Sequence, residues 1–273
     1  MFKSAADATR LQAYFQKNGL NEVFAEWRGR LIFTITAQRA KRHQYIGAIA
    51  RFIIEVKRNE WLDRTLLKKY HYENTEERSQ IIDIAGQILS GEREEAAAFA
   101  GELRENELVY EAAESLADYE GAVLFDSFLT FRLREYHERL GILLDAAIDE
   151  YKMEQEYQMF IHMLRNYLQE RSPRKQTIHL YLDGQLSFYD ENLTELKKED
   201  LRDIMDRRLF SNHPVYIDSA VIAPLLSLAP KKIYVYTDQE DQALVRTLCN
   251  IFEERLVTFP CLHFHILRKS HAD

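Results

Sequence analysis

Two cysteines, nine glycines and five prolines in 273 residues leave little room for several common kinds of protein. Cys249 and Cys261 are too few for a secreted disulfide framework and form no CxxC pair, which points to a reducing interior. So few glycines disfavour phosphate-cradling loops, and the chain holds no P-loop, GxGxxG, HExxH, GxSxG or EF-hand pattern. No apolar run approaches the roughly 20 residues of a membrane span. The opening MFKSAADATRLQAYF lacks the basic then unbroken apolar profile of a signal peptide. A cytoplasmic protein without a membrane span is the expectation. What is abundant is apolar and charged in globular proportion: 46% hydrophobic, 29% charged, with 15 Phe and 15 Tyr. Such a chain can bury a core without disulfide or metal, and disorder is excluded as its main state. A net charge of -8 argues against non-specific nucleic-acid binding through overall charge.

All five prolines lie at or after Pro173. Proline costs about 3 kcal/mol inside a helix, so the proline-free stretch 1–172, rich in Ala, Leu, Glu, Lys and Arg, reads as mainly helical. It opens on a small α/β element, with a helix over DATRLQAYFQKNG ended by Gly19 and a strand at LIFTIT. A helix from Gln38 to about Glu60 carries the stripe Ile46, Ile49, Ile53 and Val56. Asn74 or Thr75 caps a helix that stops at Gly91, and the acidic stretch 92–120 supplies one or two surface helices. From Ala122 to Glu170 a long helical zone changes phase near Glu150, where it bends, breaks or changes packing partner.

After Pro173 the period becomes two. TIHLYLDG, QLSFYD, KKIYVYTD and LVTFPCLHFHIL alternate as strands, with helices over KKEDLRDIMDRRLF, around VYIDSAVIAPLLSLAP, and over QEDQALVRTLCNIFEERL. Residues 173–273 therefore read as a mixed sheet in the order β-β-α-α-β-α-β, and the first pair turns at Asp183-Gly184. The whole chain is α+β, a helical region followed by this sheet region.

Alternation places Ile178, Leu180, Leu182, Ile233, Val235, Leu262, Phe264 and Ile266 on one sheet face. The other face collects His179, Tyr181, Tyr234, Tyr236, Cys261, His263 and His265. Packing against the helical region is one use of that second face, and a partner-binding surface built on His179, Tyr181, Tyr234 and Tyr236 is another. Cys261, His263 and His265, spaced two apart on a strand, form a candidate zinc or transition-metal triple with His179 as a fourth ligand, although no cofactor is required. Arg39, Lys41, Arg42 and Arg51 on the helix over 39–58 form a candidate phosphate-binding row. Pairing of Arg51 and Arg58 with Glu55, or with the acidic stretch, is the alternative.

The block FRLREYHERLGILLDAAIDEYKMEQEYQMFIHMLRNYL, with RTLLKKYHYENTEERSQIIDIAGQIL, IAPLLSLAPKKIYVYT and CNIFEERLVTFPCLHF, resembles the YtxC-like family, associated by name with sporulation in endospore-forming Firmicutes. The resemblance implies a cytoplasmic sporulation protein and supplies no catalytic residues. With catalytic motifs missing, a non-enzymatic binding or adaptor protein with a protein partner is the first expectation. A Cys/His metal protein or enzyme, and nucleic-acid binding through the basic helix, are the alternatives.

Overall fold

The computed structural model describes residues 1–2, 4–20, 25–27, 30–32, 41–117, 122–183, 185–197, 199–201, 220–239 and 242–271. Packing groups the chain into two units, residues 1–153 and 154–273. The division falls inside a helix rather than at the first proline.

In the first unit, α1 (Ala5–Lys17) begins at Ser4, whose side chain accepts from the Asp7 amide, and closes at Asn18 before Gly19 in the left-handed region. The short strands β1 (Ala25–Trp27) and β2 (Arg30–Ile32) pair antiparallel, and Phe2 bridges to Leu31. The helix expected over 38–60 runs as α2 (Arg42–Phe52), a π-helical turn (Ile53–Lys57) and α3 (Arg58–Lys68). The widened turn shifts the buried stripe from Ile46, Ile49 and Ile53 to Leu62 and Leu66, a phase change the α-periodic reading does not contain. Helix α4 (Thr75–Ser90) is capped by Asn74, which accepts from the Glu76 amide, and ends on Gly91 at φ +81°. A Cβ is disfavoured at that angle, which is why glycine serves there. The acidic stretch forms two helices, α5 (Glu94–Ala100) and α6 (Glu105–Ala117). Val109 and Ala113 of α6 are fully buried, so it is a core helix, with Glu107, Glu111 and Glu114 on its outer side and Glu105 turned inward to Arg58.

The next zone breaks at Leu133, between α7 (Phe125–Arg132) and α8 (Arg134–Gln169). Near Glu150 there is no break; residues up to Tyr151 join the first unit's core, and Phe160, Ile161, Leu164 and Leu168 join that of the second. Of the three alternatives for the phase change, a new set of packing neighbours is the one observed.

The second unit is built on β3 (Thr177–Asp183), β4 (Gln185–Tyr189), β5 (Glu195–Leu196), β6 (Lys232–Tyr236) and β7 (Leu256–Phe259) in the spatial order β5-β4-β3-β6-β7. Strands β3, β6 and β7 are parallel, while β4 and β5 continue antiparallel. The helix expected over KKEDLRDIMDRRLF lies largely outside the described residues. Helices α9 (Ile222–Leu228) and α10 (Ala243–Phe252) fall where expected. One correction is large: LVTFPCLHFHIL is not one strand. Strand β7 stops at Phe259, Pro260 serves as N-cap, and Cys261–Ser270 is a helix, α11.

One sheet face meets α8, α9 and α10 through Ile178, Leu180, Ile233 and Val235, as alternation implies. The opposite face is covered by α11. Phe264 therefore sits against the aromatic face, and Leu262 and Ile266 point outward at 69% and 56% exposure. No helix among the described residues is long and apolar enough to cross a membrane.

Candidate functional site

The register of the sheet decides which side chains share a surface. Parallel pairing sets His179 beside Tyr234 and Tyr181 beside Tyr236; antiparallel pairing sets His179 beside Tyr189; and Val257 and Phe259 follow on β7. The sequence-read row His179, Tyr181, Tyr234 and Tyr236 is thus one continuous face.

Helix α11 lies on that face through Phe264, whose ring stands 4.8 Å from Tyr189 and 5.0 Å from both Tyr181 and Tyr236. The Asp238 carboxylate, just past the end of β6, accepts from the Cys261 amide at 3.0 Å and so satisfies an otherwise open N–H of the first helical turn. Tyr181 Oη lies 3.1 Å from His265 Nε2 and donates to Asp183 at 3.3 Å. Arg268 crosses the Tyr189 ring at 5.9 Å.

The polar groups gather at the carboxyl ends of β3, β6 and β7, the edge where parallel sheets place ligands. Burial, with Asp238 and Asp183 beside it, pushes the Cys261 thiol up from its ordinary range. A protonated thiol is a poor nucleophile and a poor metal ligand. Tyr181 and Tyr236 are pushed up to about 12, in each case mainly by burial. Both phenols therefore stay neutral and serve as hydrogen-bonding struts. The exposed carboxylates of Asp183 and Asp238 leave a polar rim open to solvent.

The strand geometry assumed for Cys261, His263 and His265 does not hold. On a helix, positions 261 and 265 are about one turn apart, while position 263 points roughly 160° away from each. Cys261 is buried against the sheet, His263 stacks on Phe259 at 4.7 Å, and His265 meets Tyr181. Among the described residues no group of three His, Cys, Asp or Glu side chains could hold a metal ion.

The basic row is dispersed. Arg39 lies outside the described residues; Arg42 pairs with Glu114 at 3.4 Å; Lys41 and Arg51 are exposed. Nine residues of helix put Arg51 about 180° from Arg42. Glu55 accepts from Tyr14 at 2.7 Å rather than pairing with Arg51 or Arg58, and Arg58 pairs with Glu105 at 2.9 Å. The acidic stretch is thus the partner of this helix at two points.

Within the candidate partner-binding set, Tyr236 and His179 are buried, while Tyr181 and Tyr234 keep an exposed edge. His179 Nδ1 lies 2.8 Å from Tyr236 Oη, and burial holds the imidazole below its ordinary range against the opposing pull of Asp190. A histidine depressed in the folded state contributes stability fully present above its unfolded pKa of about 6.5 and lost as pH falls through the lower folded value. Acidifying below pH ~6.5 is therefore expected to lower the urea midpoint. His179→Phe should flatten that slope, and an unchanged slope would assign it elsewhere.

Sequence reading missed Phe264, Tyr189 and Asp238. Tyr189 follows only from the observed register, in which Asp183 pairs with Gln185 and His179 with Tyr189; a two-residue turn at Asp183-Gly184 would set Phe188 there instead. Phe264 needed the helix to be recognised from Pro260, the spacing Cys261, Phe264 and Leu267, and the closing Arg268 and Lys269. Asp238 had no local signal, because its partner amide is distant in sequence.

The profile of the YtxC-like family matches residues 43–257, from the start of α2 into β7. The uncharacterized protein YtxC of Bacillus subtilis (strain 168) is 34% identical over 212 residues, covering 78% of this chain and 75% of that protein. No solved structure matches. The resemblance noted in the long α8 block and its three companions is thus upheld over most of the chain, which belongs to the YtxC-like family.

Proposed function

We propose that this YtxC-like protein is a non-enzymatic adaptor that docks a protein partner on the outer face of α11. The observation that carries the reading is the pair Leu262 and Ile266, one turn apart and more than half exposed, on a helix whose other face is seated on the sheet. Two branched apolar side chains held rigidly in solvent suit the centre of a protein interface. In this reading Tyr236 and His179 hold the docking helix in place, and Tyr181 and Tyr234 border it. The family resemblance supports a cytoplasmic role in sporulation.

The test is recovery of tagged full-length protein from sporulating cells, with nuclease and chelator arms, for wild type and Leu262→Glu/Ile266→Glu. Both positions are exposed, so the variant keeps α11 seated. A partner that survives nuclease and chelator and disappears with the double variant is expected. Recovery that is nuclease-sensitive, chelator-sensitive or unaffected by the variant would overturn the reading.

A further inference from the structure

A cleft of the first unit is independent of that docking face. It has a volume of about 600 Å³ and is formed where α1, the π-helical turn, α3, α7 and the start of α8 converge. Its floor is apolar, made by Ile53, Leu129 and Leu133, and one wall is aromatic, with Trp61 stacked on His137 at 5.0 Å and an interplanar angle of 2°. Burial holds His137 below the ordinary histidine range, so it stands in the wall as a neutral ring.

The charges around the cleft nearly cancel. Lys57 bridges Asp7, at 3.0 Å, and Glu60; Arg10 shares Glu60; Arg58 is neutralised by Glu105; Asp126 interacts with the N-terminal ammonium. The surplus cation is Arg64, which is exposed and paired with no carboxylate among the described residues. It stands one turn from Glu60 and Trp61 on α3, at the rim.

The backbone adds a second, independent pointer. The π-helical turn Ile53–Lys57 lines this cleft, and such turns are uncommon, cost hydrogen-bond quality and concentrate at functional sites. Here the widened turn delivers Lys57 to Asp7 and Glu60 while leaving Ile53 on the floor.

We infer that this cleft binds a small amphiphilic anion: one carboxylate or phosphate group held by the Arg64 guanidinium, on an apolar or aromatic body lying against Trp61 and His137. The volume falls within the range of small-molecule sites, and a guanidinium fork matches either oxyanion. The single surplus positive charge favours one anionic group over a polyanion.

The experiment uses the full chain carrying Trp27→Phe, which leaves Trp61 as its one tryptophan. Phenyl phosphate and benzoate are the probes, and benzyl alcohol is the neutral control. The expected result is saturable quenching of Trp61 by at least one anion, weakened about tenfold or more by Arg64→Gln, with no saturation by benzyl alcohol. Arg64 is exposed, so the variant folds, and Arg51→Gln serves as the control for loss of a cation elsewhere. Absence of saturation by both anions, equal response to the alcohol, or equal weakening by Arg64→Gln and Arg51→Gln would overturn the site.

Discussion

Phe264→Ala is expected to destabilise the second unit by about 3–5 kcal/mol, the range for truncating a buried aromatic side chain. The Phe264 ring is 2% exposed and touches three tyrosines on three different parts of the sheet face. What then remains to hold α11 is the small buried side chain of Cys261, the partly buried Leu267, the stack of His263 on Phe259, and three contacts at or near the surface: the Asp238 cap, the Tyr181–His265 contact and Arg268 over Tyr189. Surface polar contacts contribute about 1 kcal/mol or less apiece, so they cannot replace the buried ring. Urea unfolding followed by near-ultraviolet circular dichroism reads both the loss of stability and the release of the tyrosines from their fixed packing. Phe264→Leu, which keeps most of the apolar volume, should cost much less. A shift below about 1 kcal/mol for Phe264→Ala would mean that α11 is not held by this ring.

The parts of this fold legible in sequence are those whose cause is local. Helix α4 was bounded correctly because Asn74 and Gly91 act on their own backbone neighbours. The parity of β3 and β6 was correct because both strands are buried on two chemically different faces, aliphatic on one and tyrosine and histidine on the other. The stretch after Phe259 misled for a physical reason: Cys261, His263 and His265 alternate with Leu262, Phe264 and Ile266, a pattern that satisfies a strand. It satisfies a helix equally when Cys261, Phe264 and Leu267 face inward and Leu262 and Ile266 remain exposed. Pro260, which cannot donate to a ladder and suits a helix start, was the residue that distinguished the two. The cleft around Trp61 could not be read at all. Its charges come from four helices and a π-helical turn, and neither the ion pair between Lys57 and Asp7 nor the stack of Trp61 on His137 has a signature in residue spacing.

Arg58→Met is the second substitution with a large expected effect. Arg58 opens α3, Glu105 opens α6 and Tyr136 lies on α8; the Arg58 guanidinium donates to Glu105 at 2.9 Å, and the Tyr136 hydroxyl donates to the other carboxylate oxygen. The two charged side chains are only 21% and 16% exposed. Removing the cation leaves a mostly buried carboxylate with one neutral donor, which costs about 3–5 kcal/mol in full burial. The remaining exposure lowers this to about 2–3 kcal/mol. The position of Glu105 in the first turn of α6 offsets a further part through the helix dipole. Burial and Glu105 already push the Tyr136 phenol well above its ordinary range, so that hydroxyl stays a donor throughout. Arg58→Met/Glu105→Gln keeps an acceptor for Tyr136 and buries no charge, so it should recover most of the loss at pH ~7. Denaturant midpoints for the double-mutant cycle give the coupling directly. Independent, additive effects of the two substitutions would mean that solvent, and not Arg58, balances Glu105.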